Sequence, residues 1–101
     1  TATIARLIDL AGSHEEPLVR EAAVAALGAV GDPRGLDAII TAATHDKPAV
    51  RRRAAVALAP FEDPRADDTL RTLLTDRDWQ TRQIAEDLLD ERPTSSDPHT
   101  R

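Results

Sequence analysis

The stretch Val19 to Arg34, VREAAVAALGAVGDPR, recurs as VRRRAAVALAPFEDPR from Val50 to Arg65, with Val, Arg, Ala, Ala, Leu, Asp, Pro and Arg in the same places at an offset of 31 residues. One further step reaches Thr81, Arg82, Ala85, Leu88 and Leu89, a weaker copy with the same Arg and the same apolar spacing. Self-similarity at a period in the twenties to forties is the signature of a solenoid, in which each unit buries its apolar face only against its neighbours. Three copies at this offset cover residues 1–93 of the 101. A chain of that size buries only about 60–65% of its unfolded surface, so it has no room for a large enclosed cavity.

Apolar spacing within each copy says helix, turn, helix. Thr1 or Thr3 caps a first helix in which Ile4, Leu7, Ile8 and Ala11 fall on one face, and Gly12-Ser13 ends it. Glu15-Glu16-Pro17 opens a second, with Val19, Ala23, Ala26, Leu27 and Val30 as its buried stripe and Gly31 as its stop. Asp32-Pro33 opens a third helix, with Leu36, Ile39, Ile40 and Ala43 on one face. The next unit buries Val50, Ala54, Ala57, Leu58 and Phe61, and Pro60 shortens its helix. After Asp63-Pro64 comes a stripe of Leu70, Leu73 and Leu74, with Asp67 and Arg71 as a charged pair facing water. The last helix runs from about Asp78 to Glu91 and buries Ile84, Ala85, Leu88 and Leu89. From Arg92 onward apolar periodicity stops and prolines appear, so residues 94–101 read as a disordered tail.

These residues resemble a known family. A helix opened by Asp-Pro-Arg, paired with one beginning Val-Arg and running through Ala-Ala to Leu-Gly, is similar to HEAT repeats, and specifically to the short HEAT-like repeats named after phycobilisome lyases. The resemblance is carried by Val19-Arg20 with Gly28, Asp32-Pro33-Arg34, Val50-Arg51 and Asp63-Pro64-Arg65, and it divides the chain into units near 1–31, 32–62 and 63–93. It implies an all-α fold: a right-handed α-solenoid of three helical hairpins, six helices in all, with each second helix lining the concave side. It also implies a ladder in which an Asp in each turn pairs with a neighbouring unit's Val-Arg arginine. The arginines match as Arg20, Arg51 and Arg82. The acid matches only as Asp76, because His14 and His45 stand at the earlier turn positions.

Charge and composition narrow the function. The net charge is −5, spread as −2, +1, −4 and 0 over residues 1–31, 32–62, 63–93 and 94–101, which argues against a duplex-binding face. One Phe, one Trp and no Tyr leave little to stack on bases. The run Arg51-Arg52-Arg53 makes no single patch, since successive helical residues point about 100° apart. Arg52 is the one expected to face out. There is no Cys and no apolar run long enough to cross a membrane, so the expectation is a cytoplasmic protein without disulfides.

Chemistry finds no centre in this pattern. His14 and His45 recur beside acids, but equivalent positions in stacked units lie roughly 8–10 Å apart, whereas zinc ligands each lie about 2 Å from the metal. A turn-capping role fits them better. Deoxyhypusine hydroxylases, an enzymatic branch of similar repeats, hold di-iron with His-Glu pairs just after the Val-Arg position. Here that position reads Glu21-Ala22, Arg52-Arg53 and Gln83-Ile84. No cofactor, metal or catalytic residue is therefore expected.

What the pattern does suggest is a surface. Opposite the core stripe the second helices should present Glu21, Val24, Ala25 and Gly28, then Arg52, Ala55, Val56 and Ala59, then Gln83, Glu86, Asp87 and Asp90, small apolar residues giving way to acids. The expectation is a non-catalytic module that binds a protein partner in this concave groove. The second reading is an accessory subunit of a bilin-lyase-like or other modifying enzyme, and nucleic-acid binding stands third.

Overall fold

The computed structural model describes residues 2–92, all of whose regular structure is helical. Six α-helices follow in order: α1 (Ala2–Ser13), α2 (Pro17–Val30), α3 (Leu36–His45), α4 (Pro48–Ala57), α5 (Pro64–Leu73) and α6 (Trp79–Glu91), with a 3-10 turn at Pro33–Gly35 leading into α3. They pair as three hairpins stacked into a solenoid. The first helices α1, α3 and α5 form one layer and the second helices α2, α4 and α6 the other. The tail reading over 94–101 lies outside the described residues.

Local chemistry sets the boundaries. Pro occupies the first turn of α2, α4 and α5, where its missing N–H has no intrahelical partner to lose. The side chains of Asp32, Asp63 and Asp78 accept hydrogen bonds from the N–H groups of Arg34, Arg65 and Thr81 at 2.8, 2.8 and 2.9 Å. Gly31 ends α2 in the left-handed region at φ 70°, donating its N–H to the Leu27 carbonyl, a conformation that favours a residue without Cβ. α4 ends before Pro60 through a tightened turn, in which Ala59 N–H bonds the Val56 carbonyl at 3.0 Å.

The core lies between the layers and holds Leu27, Leu36, Ile39, Leu58, Leu70 and Leu73 almost without solvent contact. In the second helix of the middle unit and the turn after it every expected core residue, Val50, Ala54, Ala57, Leu58 and Phe61, is buried, while Ile40 of α3 is half-buried. The outer units depart from expectation. In α2 Val19 and Ala26 are only half-buried and Val30 is 57% exposed, since no described residue stacks in front of the first unit. Leu74 is 38% exposed, and Ile84, Leu88 and Leu89 are half-buried.

Two charged residues also sit differently from the sequence reading. Asp67 does not pair with Arg71, which takes Asp68 instead at 2.6 Å. Asp67 pairs with Arg92, and Arg92 further donates to the carbonyls of Ala59 at 3.1 Å and Phe61 at 2.6 Å. Arg92 is thus a clasp between α6 and the end of α4, not the start of a tail.

The second helices pack on one another more closely than the first helices do. Gly28 is the reason on the α2–α4 side. A Cβ there would lie 2.6 Å from Ala57 Cβ and 2.7 Å from Ala57 Cα, so only glycine permits this approach.

Candidate functional site

The turn between the helices of each unit is where the ladder forms. Arg20 Nε and Nη2 donate to Asp46 Oδ2 and Oδ1 at 2.9 and 2.8 Å, a two-pronged contact from α2 to the next unit's turn. Arg51 repeats it on Asp76, again at 2.9 and 2.8 Å. Both rungs are largely shielded, with side chains 10–14% exposed. Each arginine also donates Nη1 to a carbonyl in its own turn: Arg20 to His14, Arg51 to Asp46 and Arg82 to Asp76, at 2.8, 2.8 and 2.7 Å. Among the described residues Arg82 has no carboxylate partner, so the ladder has two rungs.

The first rung corrects the sequence reading, which found an acid only at Asp76. Asp46 was missed because its turn is one residue tighter: it precedes Arg51 by five positions, whereas Asp76 precedes Arg82 by six. A search allowing a one-residue slip before Pro48 finds it. His14 occupies the geometric place of the acid in the first unit. Its Nδ1 accepts from Glu16 N–H at 3.0 Å, as Asp76 Oδ1 accepts from Asp78 N–H at 2.8 Å. This is a capping role, and among the described residues no group of three His, Cys, Asp or Glu side chains is placed to hold a metal.

Further pairs tie the units. Arg52 donates to Asp78 at 3.0 Å, Arg53 to Glu21 at 3.2 Å and Arg65 to Asp37 at 2.6 Å. Arg52 therefore does not project freely into the groove; half-buried, it binds the cap of α6. The electrostatics follow these contacts. The Arg20 hydrogen bonds hold the Asp46 carboxyl below the usual range. Burial pushes Asp76 upward, but hydrogen bonds from Arg51 and from Asp78 N–H outweigh it and the net shift is downward. Asp32, gripped by its own turn's Arg34, is lowered to about 2.

The expected concave surface is only partly a surface. Val24 and Ala55 are wholly buried and Gly28 is buried. The helical repeat explains this. Arg20, Val24 and Gly28 share one face of α2 at intervals of four, and that face carries both the Asp46 and the Ala57 contacts. Ala55 stands in the same register above Arg51. These positions face the next unit, not the groove. Their counterparts in the third unit, Glu86 and Asp90, are exposed together with Arg82, no further unit being stacked there among the described residues. The change from small residues to acids is therefore a change from a face buried between units to one left exposed on the last described unit.

What faces outward is offset by one or two residues. On α2 it is Leu18, Ala22, Ala29 and the half-buried Ala25; on α4, Ala49, Arg53 and Val56, followed by Ala59; on α6, Gln80, Gln83, Asp87 and Asp90. Glu21 is half-buried under its pair with Arg53. Glu21, Ala49, Arg52, Arg53, Val56 and Ile84 surround a shallow cleft of about 220 Å³ across the three second helices. Val56, 53% exposed, is its apolar floor. Beside it Gln83 donates to Asp87 at 3.0 Å.

A family model described as HEAT repeats matches residues 4–90. No curated protein matches the chain at a significant level.

Proposed function

The chain belongs to the HEAT repeat family, whose repeats generally serve as protein-interaction scaffolds, and from that premise we propose that it is a non-catalytic module that binds a protein segment across the outer faces of α4 and α6. The observation that carries this reading is Val56, an apolar β-branched residue left 53% exposed in the cleft between the helices. Asp87, exposed on α6 beside the cleft, favours a segment with one apolar anchor and a flanking basic residue.

The arginines support a protein partner over a nucleic acid. Arg20, Arg51, Arg52, Arg53 and Arg65 are each engaged by a carboxylate of another unit and Arg92 by Asp67 of its own, which leaves no concentrated basic face for phosphates among the described residues. No helix among the described residues is long and apolar enough to cross a membrane.

Val56→Glu tests the reading. The position is exposed, so the melting temperature should move little. A partner retained by immobilised wild-type chain should be lost from the variant, and its peptide fragments should carry Lys or Arg beside an apolar residue. Undiminished retention would place binding elsewhere.

A further inference from the structure

Leu18, at the start of α2, is 75% exposed, more than any other large apolar side chain among the described residues. Its place in the repeat shows which way it points. The equivalent residue of the middle unit is Ala49, which is exposed although units stack on both sides of it, and Ala49 lines the cleft whose floor is Val56. The position therefore belongs to the groove side of the stack and stays open with a preceding unit in place. Val30 differs in this respect, since its counterpart Phe61 is only 5% exposed.

The same register gives the distances. Ala25, Val56 and Asp87 are equivalent at the offset of 31 and form a row across α2, α4 and α6, with Leu18 seven residues before Ala25. Seven helical residues cover about 10.5 Å and packed helices lie roughly 8–10 Å apart, which sets Leu18 roughly 13–15 Å from Val56 and Asp87 roughly 8–10 Å beyond it. Four residues of extended chain rise about 13 Å and return the side chain to the same face. Two more rise about 7 Å, from where the long stem of Lys or Arg reaches Asp87.

Charge selects the occupant. Within the groove the ions are matched, Arg53 by Glu21 and Arg52 by Asp78. Beyond its two ends they are not. Glu15 and Glu16, exposed in the turn before Leu18, and Asp87, exposed past Val56, have no cationic partner among the described residues; Asp87 receives only the Gln83 amide. Two apolar sites with unmatched acids outside each fit a segment of the inverse pattern.

Resting on the reading of Val56 as a binding site, we propose that the bound protein segment continues onto α2 in extended form. It sets a second apolar side chain on Leu18, four residues from the one on Val56, and carries a basic residue outside each anchor. Selection of a random peptide library on the immobilised wild-type chain tests this. Recovered peptides should share two apolar residues four apart with Lys or Arg outside each, and should bind less tightly as salt rises. Leu18→Ala should weaken a selected peptide about tenfold in fluorescence polarisation, with little change in melting temperature because the residue is exposed. Asp87→Asn should weaken it about threefold at low salt and less at high salt. Loss of binding with Val56→Glu but none with Leu18→Ala would overturn the second anchor and leave the cleft reading standing. Peptides indifferent to both changes would overturn both. Apolar residues recurring seven or eight apart would mark a helical occupant, and acidic peptides would contradict the charge pattern; either result overturns the proposal.

Discussion

The α2–α4 and α4–α6 contacts join equivalent helices by different means. α2 meets α4 through small residues: Gly28 lets Ala57 approach to a separation that no side chain at position 28 tolerates, and Val24 beside it is wholly buried. α4 meets α6 through the buried Ala55 and, in addition, through polar groups. Arg52 reaches Asp78, Thr81 is buried with its hydroxyl donating to Asp78 at 2.8 Å, and Arg92 returns from the end of α6 to carbonyls at the end of α4. Common to both is the ladder rung, with the same geometry in each. The comparison teaches that the rung sets the register between units while the rest of the interface is free to vary. Toward the polar end the stack exchanges close packing for hydrogen bonds, which suits a face near water.

The largest effect should come from Gly28→Val. An exposed helical glycine is usually improved by a side chain by up to about 1 kcal/mol; here the sign reverses, because Cβ meets Ala57 backbone at 2.7 Å. A loss of about 3 kcal/mol in denaturant melts is expected from overpacking a contact that cannot yield. At the equivalent position in the second unit, Ala59→Val should change stability by less than about 0.5 kcal/mol, since Ala59 is exposed. Equal costs would erase the distinction between the two interfaces.

Cutting a rung should cost less. Asp76→Ala and Asp46→Ala each leave a shielded arginine without its carboxylate, and each should lose about 2 kcal/mol. A difference between them larger than about 1 kcal/mol, measured in the same melts, would show that the rungs are not equivalent.

Acid should unfold the protein through the same groups. Asp46, Asp63, Asp76 and Asp78 are held below their ordinary values and Asp32 is lowered to about 2. A depressed carboxylate contributes stability that is complete above its unfolded value near 3.9 and is lost as pH falls through the folded one. Urea melts should therefore be flat from neutrality to about pH 5 and weaken below about pH 4, toward about pH 2. Asp76→Asn should be less stable at neutral pH but show a shallower acid limb. An unchanged limb would mean that the rung does not carry the acid sensitivity.

Among the ion pairs the smallest effect is expected at Arg52. Its side chain is 31% exposed in the pair with Asp78, so Arg52→Ala should cost about 0.5–1 kcal/mol, below either ladder acid. A cost equal to that of Asp76→Ala would make the α4–α6 contact depend on two rungs.

By itself the sequence determined the periodic part of this protein. An offset of 31 residues, Asp-Pro at two helix starts and apolar spacing at three and four were enough for six helices in three units and for the core at Leu27, Leu36, Leu58 and Leu70. Those features are local or repeat with the chain, so they are legible along it. The tertiary structure decided which way each remaining face points. Whether Val24 lies in a groove or between units depends on how far one hairpin is rotated against the next, and Gly28 and Ala57 set that rotation together from residues far apart in sequence. Pairing of charges followed the same rule. Asp46 became a rung through a turn one residue shorter than its counterpart, and Asp67 found Arg92 in place of Arg71 because α6 carries that arginine back across the stack.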